Sequence, residues 1–255
     1  MSDRNFDLLA ERFERRVYGG LKGAIRLAVL RRDLHAVMQP GTLLDVLDIG
    51  AGLGQLSIEL AGHGHRVVYN ELSGQMMTRA QSRAREAGVF EAIDWAPGPC
   101  QPLLADPGRQ YDLVLCHALL EWLADPEQLV PLLRQTLRPT GLLSLCFYNP
   151  AGKTYRNLIR GNFDWLQQPV AYESDEGSLT PNHPPSLEQV SDWCEQAGLA
   201  LVGRSGIRVF HDYVVERRGG HQHDAQVIDM ELRYSQRPEF WQLGRYLHLL
   251  LRPVP

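Results

Sequence analysis

The hydrophobic pattern of the chain changes near residue 43. Before that point apolar side chains recur every three or four residues, which is the spacing of an amphipathic helix. Gly19 and Gly20 divide this stretch into two predicted helices. From Leu43 onward short apolar runs alternate with helical patterns. That alternation is typical of βαβ units built around a largely parallel sheet.

Seven apolar runs predict strands, and helical patterns fill the gaps between them. The predicted strands cover residues 44–49, 66–71, 92–95, 111–116 and 142–148, a run through 199–203 and 207–210, and a last run at 246–251. The predicted helices cover residues 54–62, 73–87, 126–137, 187–197 and 224–235. We expect an α/β fold with a doubly wound, mostly parallel seven-stranded sheet and an antiparallel edge.

The same pattern divides the chain into four segments. Residues 1–40 form a predicted N-terminal helical cap, 41–149 a Rossmann-like core, and 187–255 the C-terminal completion of the sheet. Residues 150–186 are rich in Asn, Gln, Pro and Gly and are too long for an ordinary connection. We therefore expect this insertion to be a lid that contacts substrate.

Composition limits the possible partners. Hydrophobic residues make up 44% of the 255 residues, which supports a real core, and 26 Lys and Arg against 30 Asp and Glu give a net charge of −4. An acidic chain does not bind nucleic acid indiscriminately, so an anionic partner needs a local basic patch. The chain has no signal-peptide pattern and no apolar stretch long enough for a membrane span. We expect a cytoplasmic protein without a membrane partner.

Cysteine and histidine spacing argues against a metal centre. The cysteines stand far apart, at 100, 116, 146 and 194, and predict reduced, buried thiols rather than a zinc site or a disulfide framework. The histidine pairs at 63 and 65 and at 221 and 223 bring no further spaced ligands. We expect no metal cofactor.

A glycine-rich turn follows the first predicted strand. Residues 47–54 read Leu-Asp-Ile-Gly-Ala-Gly-Leu-Gly. Gly50, Gly52 and Gly54 let the backbone adopt positive φ and approach a ligand closely, and the following helix offers free N–H groups. Dinucleotide loops use the spacing G-x-G-x-x-G, which this turn lacks. The pattern therefore predicts a nucleotide-like cofactor without a pyrophosphate.

Two carboxylates specify the cofactor further. Asp48 precedes the first glycine, a position that suits a cationic ligand better than a phosphate. Glu71 ends the second predicted strand, where a carboxylate can accept both hydroxyls of a ribose. One adenosine joined to a positively charged group describes S-adenosylmethionine.

These features resemble the class I S-adenosylmethionine-dependent methyltransferases. The resemblance rests on the loop at 47–54, Glu71, the predicted fourth strand at 111–117 and the turn at 137–143. More narrowly, segments over essentially the whole chain resemble the bacterial tRNA 5-carboxymethoxyuridine methyltransferases. These segments are residues 3–7, Tyr18 and Gly19, Lys22 and Gly23, Arg26, 117–122, 147–149, 161–164, 208–213 and 243–246.

The resemblance implies a reaction and a cofactor site. The reaction is methyl transfer from S-adenosylmethionine to the carboxylate of 5-carboxymethoxyuridine at wobble position 34 of tRNA, giving the methyl ester. Gly50 and Ala51 are implied to line the methionine side of the cofactor, Glu71 to hold the ribose, and Cys100 and Gln101 to flank the adenine.

The resemblance also places Arg26 and His117 at the cofactor, and we assign Arg26 to the cofactor's own carboxylate. The substrate carboxylate is ionised at neutral pH, so it needs no general base, and catalysis rests on positioning in a dry site. For its clamp we choose Arg208, because guanidinium is a rigid two-pronged donor. Tyr148, Asn149 and His211 are predicted supporters; a surface arginine on an edge strand is the alternative for Arg208.

A tRNA anticodon stem-loop requires basic and aromatic groups close together. Lys153, Arg156 and Arg160 lie in the insertion. Aromatic residues suited to stacking on splayed bases are interleaved there: Tyr148, Tyr155, Phe163, Trp165 and Tyr172. Packing of these rings onto the core is the alternative.

Two other functions remain open at this point. One is a small-molecule carboxyl or hydroxyl methyltransferase with the insertion as its lid, which the salt dependence of tRNA binding distinguishes. The other is a non-catalytic RNA-binding module on the same fold, against which the intact Gly50, Gly52, Gly54 and Glu71 argue.

Overall fold

The computed structural model describes residue 7 and residues 19–39, 41–168, 179–214 and 223–254. The predicted helix before Gly19, Asp7 excepted, lies outside these residues. So do Tyr172 and His221.

In the described residues one seven-stranded sheet has the order β3-β2-β1-β4-β5-β7-β6. Its strands are β1 (Asp45–Ile49), β2 (Arg66–Glu71), β3 (Ile93–Pro97), β4 (Tyr111–His117), β5 (Leu137–Tyr148), β6 (Leu199–Ile207) and β7 (Tyr246–Pro253). The first five strands pair in parallel, whereas β7 pairs antiparallel with both β5 and β6. The predicted doubly wound sheet with an antiparallel edge is confirmed.

Helices cover both faces of this sheet. They are α1 (Leu21–Asp33), α2 (Gln55–Gly62), α3 (Gly74–Glu86), α4 (Gln101–Leu104), α5 (Leu129–Gln135), α6 (Pro150–Arg160), α7 (Phe163–Gln167), α8 (Leu187–Gln196) and α9 (Asp224–Tyr234). Within the described ranges, none of them has the length and apolar character that crossing a membrane requires.

Two predicted strand boundaries differ from the structure by three residues or more. β5 begins at Leu137 rather than at 142, and its pairing with β4 shifts register between Tyr111 and Leu113. The shift falls at the predicted turn, where a Cβ on Gly141 would lie 3.0 Å from the carbonyl oxygen of Tyr111. β6 ends at Ile207 rather than at 210, because the next residue turns the chain into a left-handed conformation.

The described part of the N-terminal segment packs into the main core. Val29 and Leu34 are fully buried, and they contact the sheet face that carries Val46, Leu113 and Leu115. Burying such a side chain stabilises the fold by about 1.5–3 kcal/mol. Helix α1 therefore packs on this face of the sheet, where it also contacts α9 and β6.

Local capping positions α6 at the end of β5. The side chain of Asn149 accepts a hydrogen bond from the backbone N–H of Ala151, and Pro150 occupies the first turn, where its missing N–H costs nothing. Gly161, with φ 71°, ends the helix. A Cβ on Gly152 would lie 2.6 Å from the carbonyl oxygen of Gly244. Helix α6 therefore begins in direct contact with the segment that leads into β7.

Candidate functional site

The glycine loop after β1 has the backbone conformation that its sequence predicts. Gly50, Gly52 and Gly54 have φ values of 58°, 59° and 68°, which side-chain-bearing residues rarely adopt. Packing also favours glycine at two of these positions. A Cβ on Gly50 would lie 3.0 Å from Cδ1 of Leu119, and a Cβ on Gly54 would lie 3.2 Å from Cβ of Ala80. The three glycines form a close-fitting cradle at the carboxyl end of the strand.

Glu71 links this loop to β2. Its Oε2 accepts from the backbone N–H of Gly52 and its Oε1 from that of Ser73, both at 2.8 Å. Burial raises the pKa of Glu71, and the hydrogen bonds from Ser73 and Gly52 act in the opposite direction. The carboxylate is thus held rigidly, and each oxygen keeps a lone pair for a hydroxyl donor.

Replacing Glu71 with alanine is expected to weaken S-adenosylmethionine binding by about 1.5–3 kcal/mol, because charge-assisted hydrogen bonds to two ribose hydroxyls are lost. Isothermal calorimetry on the purified variant measures the change. Unchanged affinity would contradict the assignment of Glu71 to the ribose.

A cavity opens at the carboxyl ends of β1, β2 and β4. It brings together Gly50, Glu71, Cys100 and Gln101 from the predicted cofactor set. The other lining residues are Asn70, Leu72, Gly98, Pro99, Ala118, Leu119, Trp122 and Leu123. In doubly wound sheets ligands bind outside the carboxyl ends of the strands. Apolar walls beside a fixed carboxylate fit a base and its ribose.

Asp48 lies beneath the loop rather than in the cavity wall. It is buried and accepts a hydrogen bond from the hydroxyl of Ser57 at 2.6 Å. Burial raises the pKa of Asp48 to about 7; the Ser57 hydrogen bond lowers it and the charge of Glu71 raises it. Asp48 therefore changes its charge near neutral pH.

That pKa predicts a pH-dependent cofactor affinity. Asp48 is protonated below pH 7 and ionised above it, and the ionised form attracts a cationic sulfonium. S-adenosylmethionine binding is expected to strengthen as the pH rises from about 6 to about 8. Calorimetry across this range measures it, with Asp48→Asn as the control. A slope that persists in Asp48→Asn would assign the effect to another group.

Arg26 and His117 meet beside the loop. Arg26, on α1, is buried, with its guanidinium carbon 4.2 Å from the centre of the Tyr246 ring. His117 ends β4, and its Nε2 lies 2.8 Å from Oγ of Ser144. Burial lowers the pKa of His117 well below its usual value, and the charges of His248 and Arg26 lower it further. His117 is therefore a neutral imidazole next to a buried cation.

Glu121 is a buried acid near this pair that the sequence did not single out. Among the described residues, no hydrogen-bond partner reaches its Oε2. Burial raises the pKa of Glu121 to about 7, while backbone hydrogen bonds and the charge of Arg26 lower it. In the sequence, the feature that could have pointed to Glu121 is its position shortly after the end of β4.

Four cations gather where β5, β6 and β7 meet, and we call them the cationic cluster: Lys22, Arg156, Arg208 and Arg245. Asp212 lies among them, with its Oδ1 3.4 Å from Nη1 of Arg208 and its Oδ2 3.9 Å from Nε of Arg245. Burial alone would raise the pKa of Asp212, but the charges of Arg208, Arg245 and Lys22 lower it below its usual value.

The cationic cluster carries a surplus of positive charge. Burial lowers the pKa of Lys22, and the charges of Arg208, Arg156 and Arg245 lower it further against the opposing effect of Asp212. One carboxylate therefore does not neutralise the four cations. An anionic group of a ligand would balance part of this surplus positive charge.

Several polar atoms in and beside the cluster have no hydrogen-bond partner within the part of the chain that the structure describes. Tyr148 is 1% exposed, and among the described residues nothing hydrogen-bonds to its hydroxyl, to Nε of Arg156 or to Nη1 of Arg245. The guanidinium carbon of Arg245 lies 4.7 Å from the centre of the Tyr148 ring. Buried polar groups are normally hydrogen-bonded, so a ligand with several acceptor oxygens fits here.

The backbone at Arg208 explains its orientation. Arg208 has φ 60°, a strained conformation that persists only when the surroundings hold it. The following N–H groups of Val209, Phe210 and His211 all donate to the buried carboxylate of Glu231, at 2.8, 3.2 and 2.8 Å. Glu231 thus fixes the turn that directs Arg208 into the cluster.

Asn149 has a different task from the one predicted. Its amide nitrogen donates to the carbonyl oxygens of Gln242 and Gly244 at 2.8 and 2.7 Å, and its oxygen caps α6. Asn149 therefore fixes the backbone instead of offering a donor to substrate. His211 lies in the same turn as Asp212, whose pKa its charge lowers.

Lys22, Arg245 and Tyr246 were not assigned to the substrate site from the sequence. Tyr246 pairs with Tyr148 across the β5–β7 ladder, with ring centres 5.5 Å apart. The predicted antiparallel last strand was the available signal, because it brings the start of β7 to the end of β5. Among the described residues, no group of three or more His, Cys, Asp or Glu side chains could hold a metal ion.

The sheet order, the glycine cradle and the fixed Glu71 define a class I S-adenosylmethionine-dependent methyltransferase. A methyltransferase domain model matches residues 47–145. The tRNA 5-carboxymethoxyuridine methyltransferase of Escherichia coli K12 is 39% identical over 99% of this chain and 97% of its own length. The chain therefore belongs to the tRNA 5-carboxymethoxyuridine methyltransferase family.

More distant comparisons agree on the fold. The ubiquinone biosynthesis O-methyltransferase of Cereibacter sphaeroides KD131 is 30% identical over 69% of this chain and 68% of its own length. The structure of magnesium protoporphyrin IX methyltransferase from Synechocystis, with bound S-adenosylhomocysteine, matches 96% of this chain and 95% of its own with a TM-score of 0.59 at 19% identity. The [4+2]-cyclase SpnF matches 91% of this chain and 82% of its own with a TM-score of 0.55 at 18% identity.

Proposed function

We propose that this protein transfers the methyl group of S-adenosylmethionine to the carboxylate of 5-carboxymethoxyuridine at the wobble position of tRNA. The observation that carries the proposal is the cationic cluster, in which four cations surround one carboxylate. An unmodified uridine has no charge to place there. The family relative with the same substrate in its name supports the proposal. We place the protein in the cytoplasm with its tRNA.

Bound S-adenosylmethionine supplies an electrophilic methyl group, and this chain's residues position the acceptor. Guanidinium groups bind a carboxylate without giving it a proton, since their pKa lies far above neutral pH. Burial raises the pKa of Tyr148, so its hydroxyl stays protonated and donates. The acceptor oxygen therefore arrives ionised and directed, which is the contribution expected of proximity and a dry site. No side chain has to act as a general base.

The outer side of α6 and α7 is suited to an anticodon loop. Tyr155, Leu158, Ile159 and Phe163 are exposed large hydrophobic residues, and Nζ of Lys153 lies 4.6 Å from the centre of the Trp165 ring. Single-stranded RNA loops are bound by stacking their splayed bases on such side chains beside cations. The described part of the predicted insertion thus supports a role in tRNA contact.

We test the proposal with two anticodon stem-loops that differ at one nucleotide. One carries 5-carboxymethoxyuridine at the wobble position and the other carries uridine. Methyl transfer is expected to the first alone, because uridine brings no negative charge to balance the surplus positive charge of the cluster. Equal transfer to both would contradict the proposal.

Arg160→Ala is expected to weaken tRNA binding about equally for modified and unmodified wobble uridine. Arg160 is exposed on α6, so it would contact phosphate, and loss of one such contact reduces the salt slope of binding by about 1. Filter binding over a salt series measures this. Arg85→Ala is the matched control, because Arg85 is exposed on α3, far from α6. A loss specific to the modified tRNA would contradict a phosphate contact.

A further inference from the structure

The cationic cluster holds more positive charge than one substrate carboxylate balances. Of its four cations, Arg208 and Arg245 contact Asp212 at 3.4 and 3.9 Å, and each of these two side chains is only 12% exposed. Lys22 and Arg156 are the other two: burial lowers the pKa of each, and the charge of Asp212 acts in the opposite direction. When the carboxylate of 5-carboxymethoxyuridine binds, four cations face two carboxylates. Buried charges need partners of opposite sign, so a second anion is expected.

The buried carboxylate of Glu231, which lies behind the same turn, is already used by the backbone. Its oxygens accept from the N–H groups of Val209, Phe210 and His211 at 2.8, 3.2 and 2.8 Å. Burial raises the pKa of Glu231, and these hydrogen bonds lower it. Even when Glu231 is counted as ionised beside Asp212 and the substrate carboxylate, the four cations remain in excess.

The arginines of the cluster lie against two different aromatic rings. The guanidinium carbon of Arg208 is 5.6 Å from the centre of the Tyr246 ring, and that of Arg245 is 4.7 Å from the centre of the Tyr148 ring. The two ring centres are 5.5 Å apart, and the rings are nearly perpendicular. Two anions can therefore bind side by side, one at each guanidinium, without competing for the same donors.

Unused donors mark the position at Arg245. Among the described residues, the buried Nη1 of Arg245 and the buried Nε of Arg156 have no hydrogen-bond partner. Burial lowers the pKa of Arg156, and the charges of Arg160 and Arg245 lower it further. Arg156 therefore lies near both Arg245 and the exposed Arg160, whose Nη2 is 3.4 Å from the carbonyl oxygen of Asp212. Guanidinium N–H groups that converge in this way suit the several oxygens of a phosphate.

A wobble nucleotide carries two anionic groups on one side. In the usual anti orientation of a pyrimidine nucleotide, the C5–C6 edge of the base faces the 5′ phosphate of the same nucleotide. The carboxymethoxy group stands on C5, so its carboxylate projects toward that phosphate, whereas the 3′ phosphate leaves from the other side of the sugar. The substrate thus offers a carboxylate and a phosphate as neighbours, which matches two adjacent guanidinium positions.

We infer that Arg156 and Arg245 bind the 5′ phosphate of the wobble nucleotide, while Arg208 binds the carboxylate beside it. The inference rests on the proposed function, because it takes 5-carboxymethoxyuridine as the substrate. Two fixed anions leave the nucleotide little freedom to rotate, so the acceptor oxygen stays in front of the sulfonium methyl group. Arg156 and Arg245 are thus positioning residues, and they bind one particular phosphate of the anticodon loop.

The test removes one charge at a time from the RNA. Three anticodon stem-loops carry 5-carboxymethoxyuridine at the wobble position: one with natural phosphates, one with a neutral methylphosphonate on the 5′ side of that nucleotide, and one with a methylphosphonate on its 3′ side. Filter binding to the wild-type protein with S-adenosylhomocysteine measures the affinities. The 5′ methylphosphonate is expected to lower the affinity about tenfold to hundredfold more than the 3′ one, the range of charge-assisted hydrogen bonds. Equal effects of the two linkages would overturn the inference.

Arg156→Gln tests whether this side chain binds the phosphate. In the variant, the preference for the natural 5′ phosphate over its methylphosphonate is expected to fall about threefold or more, because the phosphate has lost one of its cations. A merely structural role would weaken the binding of all three stem-loops alike. Arg85→Gln is the matched control, since α3 follows β2, toward the opposite edge of the sheet from α6; its preference should equal that of the wild type. An unchanged preference in Arg156→Gln would overturn the inference.

Methyl transfer to the natural stem-loop is measured separately and decides the proposed function. Binding needs no turnover, so the comparison of the two linkages decides the inference even where no methyl group is transferred. Absence of transfer together with a retained 5′ preference would contradict the proposed function and support the phosphate contact.

Discussion

Gly52→Val is expected to abolish S-adenosylmethionine binding while the protein stays folded. Gly52 has φ 59°, and a β-branched residue in this conformation costs about 1–3 kcal/mol. Its N–H donates to Glu71 and its carbonyl oxygen accepts from the hydroxyl of Tyr69 at 2.5 Å. A strained loop that moves to relieve the conformation breaks both contacts. Since 1.4 kcal/mol is a factor of ten, affinity is expected to fall about a hundredfold or more.

Calorimetry measures the loss, and circular dichroism verifies the fold. Gly62→Ala is the matched control, because a Cβ there meets nothing within 4 Å and the residue ends α2. Its affinity is expected to equal that of the wild type. A folded Gly52→Val protein with unchanged affinity would mean that the cofactor does not cross this loop.

Arg208→Met is expected to slow methyl transfer to 5-carboxymethoxyuridine while cofactor affinity stays unchanged. The Arg208 side chain is only 12% exposed. Methionine is therefore chosen, because it is also a long unbranched side chain but carries no charge. The lost charge-assisted hydrogen bonds correspond to about 1.5–3 kcal/mol, which lowers kcat/KM about tenfold to hundredfold. Single-turnover assays with tRNA, together with calorimetry for the cofactor, separate the two effects.

Arg204→Met is the matched control, on the strand β6 that leads to Arg208. Arg204 is exposed, with its guanidinium carbon 4.9 Å from the centre of the Trp241 ring, and its loss should leave the transfer rate unchanged. A wild-type rate in Arg208→Met would move the carboxylate clamp to Lys22 or Arg26.

The cofactor half of the site follows from sequence because it depends on local backbone chemistry. Glycines at 50, 52 and 54 have few other uses directly after a buried strand, and the structure gives all three the positive φ that they permit. Glu71 ends its strand as predicted, and Cys100 and Gln101 line the same cavity. Features of this kind can be predicted from the spacing of residues along the sequence.

The acceptor half depends on contacts between distant segments. Arg245 reaches the cluster because β7 runs antiparallel to β5, and Lys22 reaches it because α1 packs on the same face. Asn149 looked like a free amide in the sequence, yet both of its hydrogens bind carbonyl oxygens before β7. The left-handed turn at Arg208 depends on Glu231, which comes from a helix later in the chain. No local pattern in the sequence predicts these contacts between distant segments.

Mass spectrometry of the methylated nucleoside tests the proposed reaction most directly. Purified protein is incubated with methyl-labelled S-adenosylmethionine and tRNA that carries 5-carboxymethoxyuridine, and the tRNA is digested to nucleosides. The label is expected on 5-carboxymethoxyuridine alone, as an ester that mild base hydrolyses to release labelled methanol. Label on another nucleoside, or a methyl group on 5-carboxymethoxyuridine that survives base, would contradict transfer to the carboxylate.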